Sequence, residues 1–416
     1  MQNKMVIKSA VREAGNDPIF KVSGMAKKRI AEIGKENVIN ATLGALMDDD
    51  GNLVAFDSVY SVFDNLDHTE YASYAGIAGT PDFLENVVYA CFKHQKPDAH
   101  IRAVATPGGT GAVRHAIRNY ADTDDYVLIP DWHWAPYETI ANENGRKVKA
   151  FPLFSDDGGF NLDGYFDAFD QLLSKQKRVL SIINSPAHNP TGYSLSDGEW
   201  EAIKAHYIEK ANENPDYRII LLCDIAYIDF AGHGESARNF MNILTGMPEN
   251  VLVLYAFSAS KGYTMYGLRN GAILCAAPTE AIADEFAASC AYSNRGTWSN
   301  GTHAAMTTLS QIVADDTLRA AFEAEQEKYR DILQARAKAF LDAAKAADLE
   351  ICPYVDGFFI SIPCENTEAV RDELITKDFF IVALKHGLRF APCAVSEAQC
   401  RIAPEMIKAA IEKVNG

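Results

Sequence analysis

Positive charge is scarce in this sequence: 39 lysines and arginines stand against 56 aspartates and glutamates in 416 residues, a formal net charge of -17. Such a chain repels nucleic-acid phosphates and anionic membranes, so neither is an expected partner and small molecules are. No apolar stretch approaches membrane-spanning length. The opening Met1-Gln-Asn-Lys-Met-Val-Ile-Lys8 carries charge where a signal peptide needs an apolar run, and the expected location is cytoplasmic. The eight cysteines lie far apart, none in a Cys-x-x-Cys pair, and several sit in apolar runs such as Leu221-Leu-Cys-Asp224. That spacing points to reduced core residues, not to disulfides or a metal centre. Repeats and low-complexity tracts are also missing, which excludes a solenoid and argues against disorder. The one glycine-rich turn, Thr106-Pro-Gly-Gly-Thr-Gly-Ala-Val113, lacks both the Gly-Lys-Ser/Thr of a nucleotide P-loop and the full GxGxxG spacing.

The length exceeds what a single core sustains, so two domains are expected. From about residue 100 to 275, short β-branched runs alternate with helical patterns, the mark of an α/β domain with a mostly parallel sheet. Strands are expected at Tyr126-Val-Leu-Ile129, Arg178-Val-Leu-Ser-Ile-Ile183, Arg218-Ile-Ile-Leu-Leu-Cys223 and Val251-Leu-Val-Leu-Tyr255. Leu318 to Ala347 reads as one long helix that links the domains. A strand over Tyr354–Ile362 and a helix within Ser396–Val414 then form a smaller α+β unit. The resulting division is 1–55 for an arm joining the small domain, 56–310 for the large domain, and 311–416 for the linking helix and small domain.

Each expected strand ends at or just before a chemically pointed residue, where open α/β sheets bind ligands. Ser258-Ala-Ser-Lys-Gly-Tyr-Thr-Met-Tyr-Gly-Leu-Arg269 sets Lys261 among small residues, with Arg269 eight positions on. An amine able to form a Schiff base and a guanidinium able to hold a phosphate are what pyridoxal phosphate requires. The glycines of 106–113, ahead of a helical pattern, bring N–H groups to an anion. Pro130-Asp-Trp-His-Trp134 offers a flat aromatic face, with Trp132 the stacking candidate. Prolines and a glycine hold Asn189 in Asn184-Ser-Pro-Ala-His-Asn-Pro-Thr-Gly192, from where its carboxamide reaches a phenolate oxygen. Asp224 closes a strongly apolar strand, where a carboxylate is costly without a cation, and a pyridinium nitrogen is such a partner. Tyr227 follows three residues later.

In this order and spacing, Asp224-Ile-Ala-Tyr227, His188-Asn-Pro-Thr-Gly192 and Ser258-Ala-Ser-Lys261 with Arg269 resemble the class I aminotransferase family of fold-type I pyridoxal-phosphate enzymes, over about residue 36 to the C-terminus. The resemblance implies a large domain with a seven-stranded, mostly parallel sheet and a smaller α+β domain. It assigns Lys261 the covalent bond to the cofactor and the later proton shuttle, Asp224 the pyridine nitrogen, and Asn189 and Tyr227 the 3'-oxygen. Trp132 stacks on the ring; Gly109, Thr110, Ser258, Ser260 and Arg269 take the phosphate. Tyr74 matches a tyrosine that reaches the neighbouring subunit's phosphate, which implies a homodimer with shared sites. Gly44, in Val38-Ile-Asn-Ala-Thr-Leu-Gly44, is placed beside the substrate carboxylate, and Arg401 in Cys-Arg-Ile-Ala403 resembles the arginine that binds it. The aspartate-type enzymes carry a second arginine three residues before a Tyr-Ser-Asn string. Here Tyr292-Ser-Asn294 is present and that position is Ser289. An aromatic or other neutral donor, in a pocket lined by Tyr71, Tyr74, Trp134 and Trp298, is therefore expected, with aspartate open if Arg295 substitutes. Amino transfer to a 2-oxo acid is the expected reaction. A lyase or decarboxylase on the same fold is the alternative, and a silent regulator would need a DNA-binding domain ahead of residue 36.

Overall fold

The computed structural model describes residues 5–7, 10–11, 18–232 and 235–416, so much of the Met1–Lys8 segment lies outside the described residues. The strands in chain order are β1 (Ile39–Asn40), β2 (His100–Pro107), β3 (Tyr126–Pro130), β4 (Lys147–Phe151), β5 (Arg178–Asn184), β6 (Arg218–Asp224), β7 (Val251–Ser258), β8 (Asn270–Ala277), β9 (Ile360–Pro363), β10 (Phe379–Phe380), β11 (Val382–Ala383) and β12 (Gly387–Phe390). Seven of them form one sheet in the order β2-β8-β7-β6-β5-β3-β4, in which β8 runs antiparallel to both neighbours and the other pairs are parallel. Both faces are covered, as a sheet with crossover helices requires. Along β6 the side chains alternate between two cores: Ile219, Leu221 and Cys223 enter one, Ile220 and Leu222 the other.

The register decides where the chemistry sits. Asn184, Asp224 and Ala256 lie side by side at the carboxyl ends of β5, β6 and β7, so residues far apart in sequence open onto one edge. β2 ends at Pro107, and the Gly108–Tyr120 helix starts at once on the same side.

The Asp316–Ala346 helix is uninterrupted over 31 residues, and its start is capped by Asp315, which accepts from the N–H groups of Thr317 and Leu318. Its C-terminal half supplies Ala337, Phe340 and Ala344 to a separate core with Ile360, Ile362, Phe390 and Ile407. The segment near residue 40 joins that unit, with β1 pairing in parallel with β10. The strand expected from Tyr354 begins only at Ile360. Val355 and Asp356 donate their N–H groups to the Gly192 carbonyl instead, and Gly357 turns the chain at φ +101°. No described helix is long and apolar enough to cross a membrane.

Candidate active site

A cavity of ≈ 360 Å³ opens at the carboxyl ends of β5, β6 and β7, with Lys261, Asp224 and Arg269 in its wall. Lys261 sits on a one-turn helix, Ala259–Gly262, directly after β7. Its Nζ donates to the Gly44 carbonyl at 2.8 Å and lies 4.8 Å from the centre of the Tyr266 ring. Burial, with Arg269 and Arg389 adding repulsion, pulls this amine down to about 8 from an ordinary 10.5. The neighbouring small residue has a packing cause: a Cβ on Gly262 would fall 2.0 Å from Asp229 Oδ2.

Asp224 is buried and pushed up to about 6 by desolvation, against the pull of two hydrogen bonds. Tyr137 donates to its Oδ2 at 2.5 Å, and the Ala226 N–H to its Oδ1 at 3.2 Å. Among the described residues it forms no ion pair, so a cation in the cavity would relieve a real cost. Asn184 ties its carboxamide to the Asp224 carbonyl at 2.7 Å and accepts from the Asn189 N–H at 2.7 Å. Asn189 Nδ2 then donates to Tyr227 Oη at 3.3 Å.

The far end is an anion cradle. Gly109 and Thr110 open the Gly108–Tyr120 helix beside Ser258 and Ser260, and Arg269 Nη1 reaches Ser260 Oγ at 3.2 Å and the Tyr266 carbonyl at 2.9 Å. Gly108 is required there: φ is +67° and a Cβ would stand 2.9 Å from Arg269 Nη2. Gly44 makes a similar close approach, since its Cβ would meet the Phe359 ring at 2.7 Å.

Two expectations are corrected. Arg401 is exposed on the Glu397–Asn415 helix and pairs with Glu397 one turn back, outside the cavity. The buried arginine beside the site is Arg389 on β12, which donates to Asn189 Oδ1 at 3.3 Å and the Thr42 carbonyl at 2.9 Å and lies 4.2 Å above the Phe359 ring. Its signal was present in Gly387-Leu-Arg-Phe-Ala-Pro-Cys393, a lone arginine in an apolar strand, where a buried cation needs a purpose. Trp132 is buried against His386 with ring centres 5.7 Å apart, and it is Trp134 that lines the cavity. Sequence reasoning also passed over Tyr137, Tyr266 and Phe20, all three at or behind the wall.

Among the pocket candidates, Tyr71 and Tyr74 are exposed in the single chain, Tyr74 by 89%. Trp298 stacks on His115 at 4.8 Å, away from the cavity wall. Ser289 lies on the Glu280–Thr297 helix and Arg295 donates to Ser299 Oγ at 2.6 Å. Asn294 of the Tyr-Ser-Asn string is buried and ties its helix to the carbonyls of Ile77 and Ala105 at 2.7 and 2.9 Å.

The description "Aminotransferase class I and II" belongs to the family model that matches residues 36–407. The chain belongs to this family. A crystal structure of an aminotransferase from Anaerococcus prevotii is 40% identical, covering 98% of this chain and 99% of that one at a TM-score of 0.96. The aromatic-amino-acid aminotransferase of Paracoccus denitrificans is 30% identical over 231 residues, 55% of each chain, so the match spans about half of that relative's length. A tyrosine aminotransferase of Rhizobium meliloti is 24% identical over 86% of this chain and 81% of its own. The aspartate aminotransferase of Saccharomyces cerevisiae cytoplasm shares the fold, with a TM-score of 0.80 at 20% identity.

Because Lys261 holds its proton only weakly, its amine in the ligand-free protein should react with trinitrobenzenesulfonate half-maximally near pH 8. Peptide mapping of the labelled protein across pH 6 to 11 checks this, and a midpoint near 10.5 would contradict it. The sign for stability follows. Between about 8 and 10.5 the unfolded lysine binds a proton that the folded one does not, so this group's contribution rises with pH across that window.

Proposed function

We propose that the chain is a pyridoxal-phosphate-dependent aminotransferase that passes the amino group of an L-amino acid, preferably one with a neutral or aromatic side chain, to a 2-oxo acid. The observation that carries the reading is one cavity with three different ends: a buried carboxylate that lacks a cation, an amine whose pKa burial lowers to about 8, and an arginine–serine–glycine cradle for an anion. A phosphorylated pyridine aldehyde answers all three. When bound, pyridoxal phosphate supplies the electron sink that lets a bond to the substrate's α-carbon ionise.

The chain's own residues direct that chemistry. Arg269, Ser258, Ser260 and the N–H groups of Gly109 and Thr110 would hold the phosphate, Asp224 the ring nitrogen, and Asn189 and Tyr227 the phenolic oxygen. Lys261 Nζ would be the group that accepts the proton of the substrate α-carbon and gives it back, and an amine lowered by burial to about 8 suits both directions. Arg389 binds the substrate α-carboxylate in its planar fork, and the Phe359 ring beneath it and the Thr42 carbonyl beside it set the guanidinium plane. The Gly44 carbonyl, now accepting from Lys261, marks where the N-terminal segment closes over the substrate.

Phe20, Trp134 and Tyr266 line the cavity, and the position expected to carry a second arginine is Ser289. Relatives bearing aromatic, tyrosine and aspartate names agree on amino transfer and differ in donor. The working unit in this reading is a homodimer, and the exposed Tyr74 serves the neighbouring site.

Reconstitution with pyridoxal phosphate should give a yellow protein in which borohydride fixes the cofactor to Lys261, and Lys261→Ala should lose nearly all turnover. Recovery of the adduct on another lysine overturns the assignment. Arg389→Lys should reduce kcat/KM by about 10²-fold or more through loss of a buried bidentate contact, while Arg401→Ala leaves it within about twofold. The reverse pattern would restore Arg401 to the site. Across phenylalanine, tyrosine, leucine, alanine and aspartate with one acceptor, a neutral donor should give the highest kcat/KM. Aspartate ahead of every neutral donor by about tenfold would refute the preference, since a carboxylate left unpaired there should cost several kcal/mol.

A further inference from the structure

Behind the cavity wall stands a tyrosine that the proposed reaction does not use. Tyr137, in the first turn of the Pro136–Glu143 helix, is 1% exposed, and its hydroxyl lies 2.5 Å from Asp224 Oδ2. Its ring meets Trp134 edge-on at 5.5 Å and 89°, so the same side chain backs both the carboxylate and an aromatic of the wall. Burial and the adjacent carboxylate push the Tyr137 phenol well above its ordinary value, which makes it the donor in this pair. The other titratable neighbours of Asp224 are Tyr227, on the loop after β6, and Cys223, on β6 itself. Burial raises both, and both are neutral near pH 7. The carboxylate is therefore held by dipoles alone: one phenol and the Ala226 N–H.

We propose that Tyr137 is a positioning residue for Asp224, whose hydroxyl fixes the carboxylate and keeps it in the ionised form, so that a proton shared with the cofactor's pyridine nitrogen rests on the nitrogen. The inference rests on the cofactor reading above. The physical reason is one-sided: a hydrogen bond donated to the ionised form makes the carboxylate a weaker base, while removing that donor leaves a buried charge less satisfied and draws the proton onto Asp224. With the proton on Asp224, the ring nitrogen would lose the charge that makes the ring an effective electron sink.

The test compares pyridoxal phosphate with 1-deazapyridoxal phosphate, in which a C–H group replaces the ring nitrogen, by equilibrium binding to the wild type and to Tyr137→Phe. The phenylalanine keeps the ring against Trp134 and removes only the hydroxyl. Tyr137→Phe should weaken pyridoxal phosphate about tenfold, the scale of one hydrogen bond to a charged group, and change deaza-analogue binding by less than about twofold. In an Asp224→Asn background the same substitution should have no further effect. The ¹⁵N resonance of ring-labelled cofactor should move toward the unprotonated position in Tyr137→Phe alone. Equal weakening of both compounds would make Tyr137 a packing residue, and no weakening of either would remove it from the site; each outcome overturns the proposal. A wild type that binds neither compound would overturn the cofactor reading itself, a result distinct from both.

Discussion

A carboxylate buried at the end of the central strand is the constraint around which the rest is arranged. Asp224 closes β6 beside Asn184 on β5 and Ala256 on β7, where the sheet offers hydrogen bonds and no cation. Leaving an ionised group there is expensive. The surroundings lower that cost step by step: Tyr137 and the Ala226 N–H hold its oxygens, and Asn184 fixes its backbone while it also aims Asn189. What remains is a demand for positive charge in the cavity, which a pyridinium would meet.

The turn that carries Lys261 packs on a second buried charge. Asp229, behind the Ala259–Gly262 turn, pairs with Arg238 at 2.6 Å, and Arg238 also donates to the Cys91 carbonyl at 2.9 Å. This ion pair fills the space that a side chain at position 262 would need. The small residue beside Lys261 thus serves packing behind the turn as well as access in front of it. A well-formed pair of this kind holds a geometry more than it adds stability, since desolvation offsets much of the attraction.

One arginine of the linking helix ties together two segments of the chain that approach the site. Arg336 is fully buried and donates to the carbonyls of Met47 at 2.9 Å and Cys393 at 3.4 Å and to Asp49 at 2.7 Å. It joins the segment that carries Gly44 to the segment that follows Arg389. The first accepts from Lys261 through the Gly44 carbonyl and the second follows the arginine that contacts Asn189, so the long helix sets their spacing.

Local sequence determined the elements whose causes are local. Short apolar runs specified β3, β5, β6 and β7, four of the seven strands of the sheet, an alanine- and glutamate-rich stretch specified the long helix, and residues next to strand ends gave Lys261, Asp224, Asn189, Tyr227 and Arg269. The tertiary structure decided what depends on which distant surfaces meet. Arg389 and Arg401 both lie in the C-terminal region, but only β12 runs under Thr42 and Asn189, while the helix turns Arg401 to solvent. Trp132 and Trp134 are two residues apart, and the packing of His386 against the first and of Tyr137 against the second decides which reaches the cavity. The strand expected from Tyr354 gave way to contacts with Gly192, more than 160 residues earlier in the chain. Such choices follow from the register and docking of distant segments, which no local pattern encodes.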